Sequence, residues 1–186
     1  MKNQSFVAWF LLAVALFAAY GAFAENKTAA APDAKFKKFF NEFQSAVAGG
    51  DKEKVADLTE YPLGGDEFVF KSDDGKRIYS NDRIGFVAFG YDRLFDRESV
   101  KRLKKVKSSA KGRIDKFTTY EFKPLPELER EGYLPSYIER GAQGYCLTVT
   151  IDIPEAKTRH EDESAVMYYF VDVKGVYKFY AVGRAG

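Results

Sequence analysis

Residues 144–153 read GYCLTVTIDI, a run in which side chains alternate between two faces without a break. A period of two is the mark of a strand with one face in the core. Tyr145, Leu147, Val149, Ile151 and Ile153 fall on one side; Cys146, Thr148, Thr150 and Asp152 fall on the other. Downstream, 154–163 is polar and reads as a hairpin loop. SAVMYYFVDV (164–173) and VYKFYAV (176–182) then form two more strands around Lys174-Gly175. Three strands in succession predict a largely antiparallel sheet. The last two are apolar on both faces: Val166, Tyr168 and Phe170 oppose Met167, Tyr169, Val171 and Val173. A sheet with helices on one side ordinarily shows a polar outer face. An outer face this apolar needs a cover, and residues 123–144 are one source of it.

Upstream, Arg113 to Phe122 reads as one strand. Pro126, Gly132, Pro135, Gly141 and Gly144 break up the segment between, so Pro124 to Gly144 is expected to be irregular. The N-terminal half is helical. Asp33 caps a helix that carries Phe36, Phe39, Phe40, Phe43 and Val47 on one face and ends at Gly49-Gly50. Asp51 caps a short second helix with Val55 and Leu58 inward, and Tyr61-Pro62 stops it. Glu67 to Lys71 and Lys76 to Ser80 pair as a hairpin across Ser72-Asp73-Asp74-Gly75. Asn81 caps a third helix bearing Ile84, Phe86, Val87, Phe89, Tyr91, Leu94 and Phe95. The fold class is therefore α+β, with N-terminal helices packed on a curved antiparallel sheet.

Residues 1–24 carry an export signal: Lys2, an apolar run of 15 residues from Phe6 to Tyr20, and Ala22-Phe23-Ala24 before Glu25. A bilayer-spanning helix needs about 20 residues, so cleavage is expected, with no transmembrane anchor left behind. Residues 25–32 read as a flexible leader and 33–186 as one cone-like domain. The expected location is periplasmic or secreted. A net charge of +2 exerts no global pull on nucleic acid, and export disfavours such a partner further. A single cysteine cannot form an internal disulfide, so the core must supply the stability. With 13 Phe and 11 Tyr after residue 24 it has the material. This composition suits an aromatic core around a partly polar cavity.

Phe39-x-x-x-Phe43, Gly50-Asp51, Val55 and Tyr61-Pro62-Leu63 resemble the two-helix opening of small exported bacterial members of the nuclear-transport-factor-2-like (cystatin-like cone) superfamily. Ile78-x-Ser80, Phe86 and Tyr91-x-x-Leu94-Phe95 are similar to its strand and third helix. Gly175-x-Tyr177-x-Phe179 is similar to its closing strand. The resemblance implies a cone-shaped cavity, for which Tyr145, Tyr168, Tyr169 and Tyr177 are candidate ligand contacts. It also implies a homodimer through the final strands as a cover for the outer face. The superfamily includes isomerases, dehydratases, hydrolases, ligand binders and assembly modules, so the fold leaves function open.

The residues that carry chemistry are few. His160 is the only histidine; beside carboxylates in a charged loop it reads as a metal ligand or general base or, since neighbouring loop residues rarely converge as ligands, as a solvated hairpin tip. Cys146 reads as a nucleophile lacking a base, an intermolecular disulfide partner, or a small residue packed in a strand. Asp73-Asp74-Gly75 has turn chemistry rather than calcium-loop spacing. No motif calls for a metal or cofactor. Lys101, Arg102, Lys104, Lys105, Lys107, Lys111 and Arg113 place seven cations in 13 residues. The first five are candidate contacts for an anionic protein or envelope partner. The reading adopted is an exported, non-enzymatic binding or interaction module. The alternatives are a small-molecule enzyme of the same fold, using Asp152 or Asp172 if either points inward, and an immunity or inhibitor protein.

Overall fold

A computed structural model describes residues 31–64, 69–71, 77–79, 81–152 and 163–185. The readings of residues 1–24 as an export signal, of most of 25–32 as a leader and of Asp73-Asp74-Gly75 as a turn, together with His160, lie outside the described residues. Helix α1 (Ala34–Gly49) begins where expected. The Asp33 carboxylate accepts from the Phe36 N–H at 2.8 Å, and Gly50 closes the helix at φ 71°. That left-handed conformation costs glycine little. Asp51 caps α2 (Lys52–Asp57). Strand β1 (Thr59–Gly64) follows at once. β2 (Val69–Lys71) and β3 (Arg77–Tyr79) pair antiparallel, as the hairpin reading requires. The next helix, α3, runs through Arg83–Gly85, a π-helical Phe86–Gly90 and Tyr91–Leu94. Its cap is Asp82 rather than Asn81: the Gly85 N–H donates to Asp82, while the Asn81 carbonyl accepts from the Leu63 N–H. α4 (Arg97–Leu103) completes the helical half.

The sheet has six strands: β4 (Lys111–Asp115), β5 (Thr118–Pro124), β6 (Gly144–Asp152), β7 (Glu163–Val173), β8 (Val176–Ala185) and β1. They lie in the order β1-β8-β7-β6-β5-β4, curved and unclosed. Every ladder from β4 to β8 is antiparallel. β1 joins the far edge parallel to β8, so the sheet is mixed at that edge. Two expectations are corrected. The single strand from Arg113 to Phe122 is two strands turning at Asp115, whose carboxylate accepts from the Phe117 N–H. The irregular 124–144 segment contains a helix, α5 (Leu125–Glu131). Pro126 sits in its first turn, where no N–H is needed, and Gly132 ends it at φ 78°.

The α1 phenylalanines fill the space between helix and sheet. Phe40 is fully buried, with Phe122, Phe170 and Phe36 rings at 5.1, 5.9 and 6.0 Å. Phe43 meets Phe170 and Phe179, each at 5.3 Å. Gln44 donates to the Leu103 and Val106 carbonyls, fixing the end of α4 against α1. On β6 and β7 the predicted faces hold: Leu147, Val149, Tyr168 and Phe170 enter this core. An irregularity at Tyr180 then shifts the β8 register, since Phe170 pairs with Phe179 but Tyr169 pairs with Ala181. Ala181 therefore joins Cys146 and Tyr169 on the outer face. There, Leu125 and Ile138 from the 125–142 segment bury all three in a second, smaller core. The apolar surface that called for a partner is thus covered within one chain around Tyr169.

Candidate functional site

Register decides what the rest of the outer face presents. Three transverse rows cross the sheet. Lys123, Cys146, Tyr169 and Ala181 form the row under α5. The next is Lys111, Glu121, Thr148, Met167 and Gly183; beyond it come Arg113, Thr119, Thr150, Ala165 and Ala185. The rows pass from apolar and covered to polar and open. Between the 125–137 segment and β4, Thr119, Glu121, Thr148, Thr150, Met167 and Tyr169 from these rows lie on the floor of a groove of about 1200 Å³.

Each wall has its own support. Lys123 on β5 holds Glu131 on α5 at 3.0 Å, and that pairing raises the Lys123 pKa. The Gly141 N–H donates to Glu129, and the Tyr180 hydroxyl donates to the Tyr137 carbonyl at 3.0 Å. Tyr137 packs edge-on to Tyr169 at 6.1 Å. Tyr133 stands 72% exposed at the rim. At Gly183 the backbone is the floor: a methyl there would lie 3.4 Å from Met167, Tyr137 and Tyr169. On the opposite wall Lys111 and Arg113 are exposed, and neither forms an ion pair with another described residue. The Thr119 and Thr150 hydroxyls likewise have no partner among the described residues.

The sequence-predicted contacts lie elsewhere, with one exception. Tyr145 and Tyr177 donate to the Asp33 carboxylate at 3.3 and 2.7 Å, reinforcing the start of α1. Burial, followed by the Asp33 charge, raises the Tyr177 phenol. Tyr168 is in the inner core, stacked on Phe95, and burial pushes it up to about 12. Only Tyr169 borders the groove, and burial raises its phenol as well. Lys101, Lys104, Lys105 and Lys107 are exposed on α4 and the following loop, with Arg102 half-buried; Lys101 lies 3.7 Å from Glu98. Lys101, Arg102 and Lys105 line a separate 240 Å³ hollow beside Asp115 and Phe117. The seven-cation run is therefore not one patch, because strand alternation sends Lys111 and Arg113 to the groove.

Neither aspartate named for an enzymatic reading enters the core. Asp152 is exposed, and Asp172 accepts from the Gly175 N–H at 2.5 Å in the β7–β8 turn. Cys146 is buried and its thiol is pushed up to about 12, so it is a packed residue rather than a nucleophile or disulfide partner. Thr119, Thr148 and Thr150 are not among the sequence-predicted site residues, and Lys111 and Arg113 enter there only as the end of the cationic run, not as part of a groove. The signal was present in KGRID (111–115), TTYEFK (118–123) and GYCLTVTIDI (144–153), whose alternation puts Lys111 with Arg113, Thr119 with Glu121, and Thr148 with Thr150 on one face of each strand. No protein-family model, curated protein or solved structure matches this chain.

Proposed function

We propose that this chain is an exported, non-enzymatic binding module of the cone-like superfamily, and that its ligand lies in the outer groove. The observation that carries the reading is a contrast between the two faces of the sheet. Phenylalanine rings occupy the helix side, where Phe36, Phe40, Phe43, Phe122, Phe170 and Phe179 are fully buried. A groove of about 1200 Å³ lies on the other side, with hydroxyls and charges on its floor. Burial raises Cys146, Tyr168 and Tyr169, which moves each away from duty as acid, base or nucleophile at neutral pH.

The test uses protein purified from cells expressing the full chain. Equilibrium dialysis against polygalacturonate, dextran sulfate, dextran and poly-glutamate compares the wild type with Thr150→Trp and Thr148→Trp, which fill the groove. At least one probe should bind, emerge chemically unchanged and be lost in whichever filled variant keeps its circular dichroism. Binding that survives in folded, filled variants, or conversion of a probe, overturns the reading.

A further inference from the structure

We infer that the groove holds an acidic polysaccharide segment, with Lys111 and Arg113 as the anion contacts; this rests on the groove being the binding surface. Size comes first. At about 1200 Å³ the groove exceeds the roughly 300–1,000 Å³ usual for small-molecule pockets and is largely open to solvent, so it fits a stretch of chain better than one metabolite.

The floor then distinguishes the kinds of chain. β5, β6 and β7 are hydrogen-bonded to strands on both sides, so their backbone is already used in ladders. An extended peptide binds a sheet by pairing with a free edge; the free edge here is β4, at the side of the groove, and the floor strands offer none. What the floor offers is side chains: the Thr119 and Thr150 hydroxyls, each able to donate and accept, with no described partner of their own. Sugar hydroxyls pair with such groups. Tyr133, 72% exposed at the rim, supplies an aromatic face for the C–H side of a sugar ring.

Charge sets the sign of the occupant. Lys111 and Arg113 lie on one strand, two residues apart and pointing the same way, so they face successive negative groups along a chain. Lys123 is committed to Glu131, leaving Glu121 as the unpaired carboxylate of the floor. A carboxylated or sulfated glycan meets this pattern. A neutral glycan would not use the two cations, although Glu121 lies in register beside Lys111.

The experiment measures the affinity of the purified protein for polygalacturonate, dextran sulfate, neutral dextran and poly-glutamate at low and high salt. Wild type should bind at least one acidic glycan, bind dextran at least about tenfold more weakly, and lose affinity as salt rises. The double variant Lys111→Gln/Arg113→Gln should lower acidic-glycan affinity about tenfold or more with unchanged melting, as expected for charge-assisted contacts. Tyr133→Ala should lower it severalfold. The inference is overturned if neither acidic glycan binds, if dextran binds equally, or if poly-glutamate binds as well with no effect of Tyr133→Ala. It is also overturned if the double variant binds normally. In that last case loss of binding in Thr150→Trp would leave the groove reading standing, whereas binding retained in both variants would remove the groove reading too.

Discussion

Asp33 joins the ends of the described chain in one hydrogen-bonded cluster. Its carboxylate accepts from the Phe36 N–H and from the hydroxyls of Tyr177 and Tyr145, which lie on β8 and β6. Burial opposes ionisation there, but these bonds outweigh it and hold the acid below its usual 3.8. A depressed carboxylate stabilises the fold above the unfolded-state value, and that contribution disappears as pH falls through the folded value. Asp33→Ala should cost about 0.5–2 kcal/mol at neutral pH, the range for a lost cap. Asp33→Asn keeps the cap geometry without the charge. Its deficit relative to wild type, measured by urea unfolding at a series of pH values, should shrink below 3.8. A deficit that stays constant down to the acid limit would show that the charge adds nothing to the cap.

Among the elements, α1 was legible because three signals agree on it: the Asp33 cap, apolar residues at helical spacing, and a glycine stop. Its burial follows that spacing, with Phe36, Phe40 and Phe43 fully enclosed. Phe40→Ala removes a ring that meets Phe36, Phe122 and Phe170, and should lower stability by about 3–5 kcal/mol. Chemical denaturation checks this; a loss below about 1 kcal/mol would mean that the neighbouring rings collapse into the space. β6 to β8 were legible for the same reason, since alternation and turn chemistry coincide. Other elements were hidden by residues with two meanings. Pro126 and Gly132 read as breakers, yet a proline in the first turn and a glycine just past the last are compatible with the helix between them. β1 contains Pro62 and touches β8 at only two register positions, Thr59 to Phe179 and Gly64 to Ala181, so nothing local announces it. The groove was hidden at a further level. Its floor is defined by which residue of one strand lies opposite which residue of the next, and register is a property of pairs. Thr119 and Thr150 are neighbours only because β5 and β6 align so.

For the whole molecule, one sheet separates two cores of unequal size. Among the described residues, the helix side gathers two dozen buried ones. The outer side has five: Leu125, Ile138, Cys146, Tyr169 and Ala181. Cooperative units with few buried apolar contacts open at lower free energy than the global transition. The 125–142 cover should therefore lift from the sheet while the helix side stays folded. Cys146 reports on this opening. It is 1% exposed and its thiol is raised to about 12, so alkylation of the native state must pass through a state in which the cover is off. Ile138→Ala weakens the cover by about 2–5 kcal/mol if the site cannot collapse. Because opening and global unfolding are separate events, the loss should appear mainly in the first. Iodoacetamide labelling of Cys146 should accelerate by at least tenfold, while the melting temperature moves little. Phe40→Ala should do the reverse, lowering the melting temperature and accelerating labelling only as far as global unfolding becomes more frequent. If Ile138→Ala lowers the melting temperature in proportion to its labelling rate, the two cores unfold as one. The groove wall would then be as firmly held as the sheet beneath it.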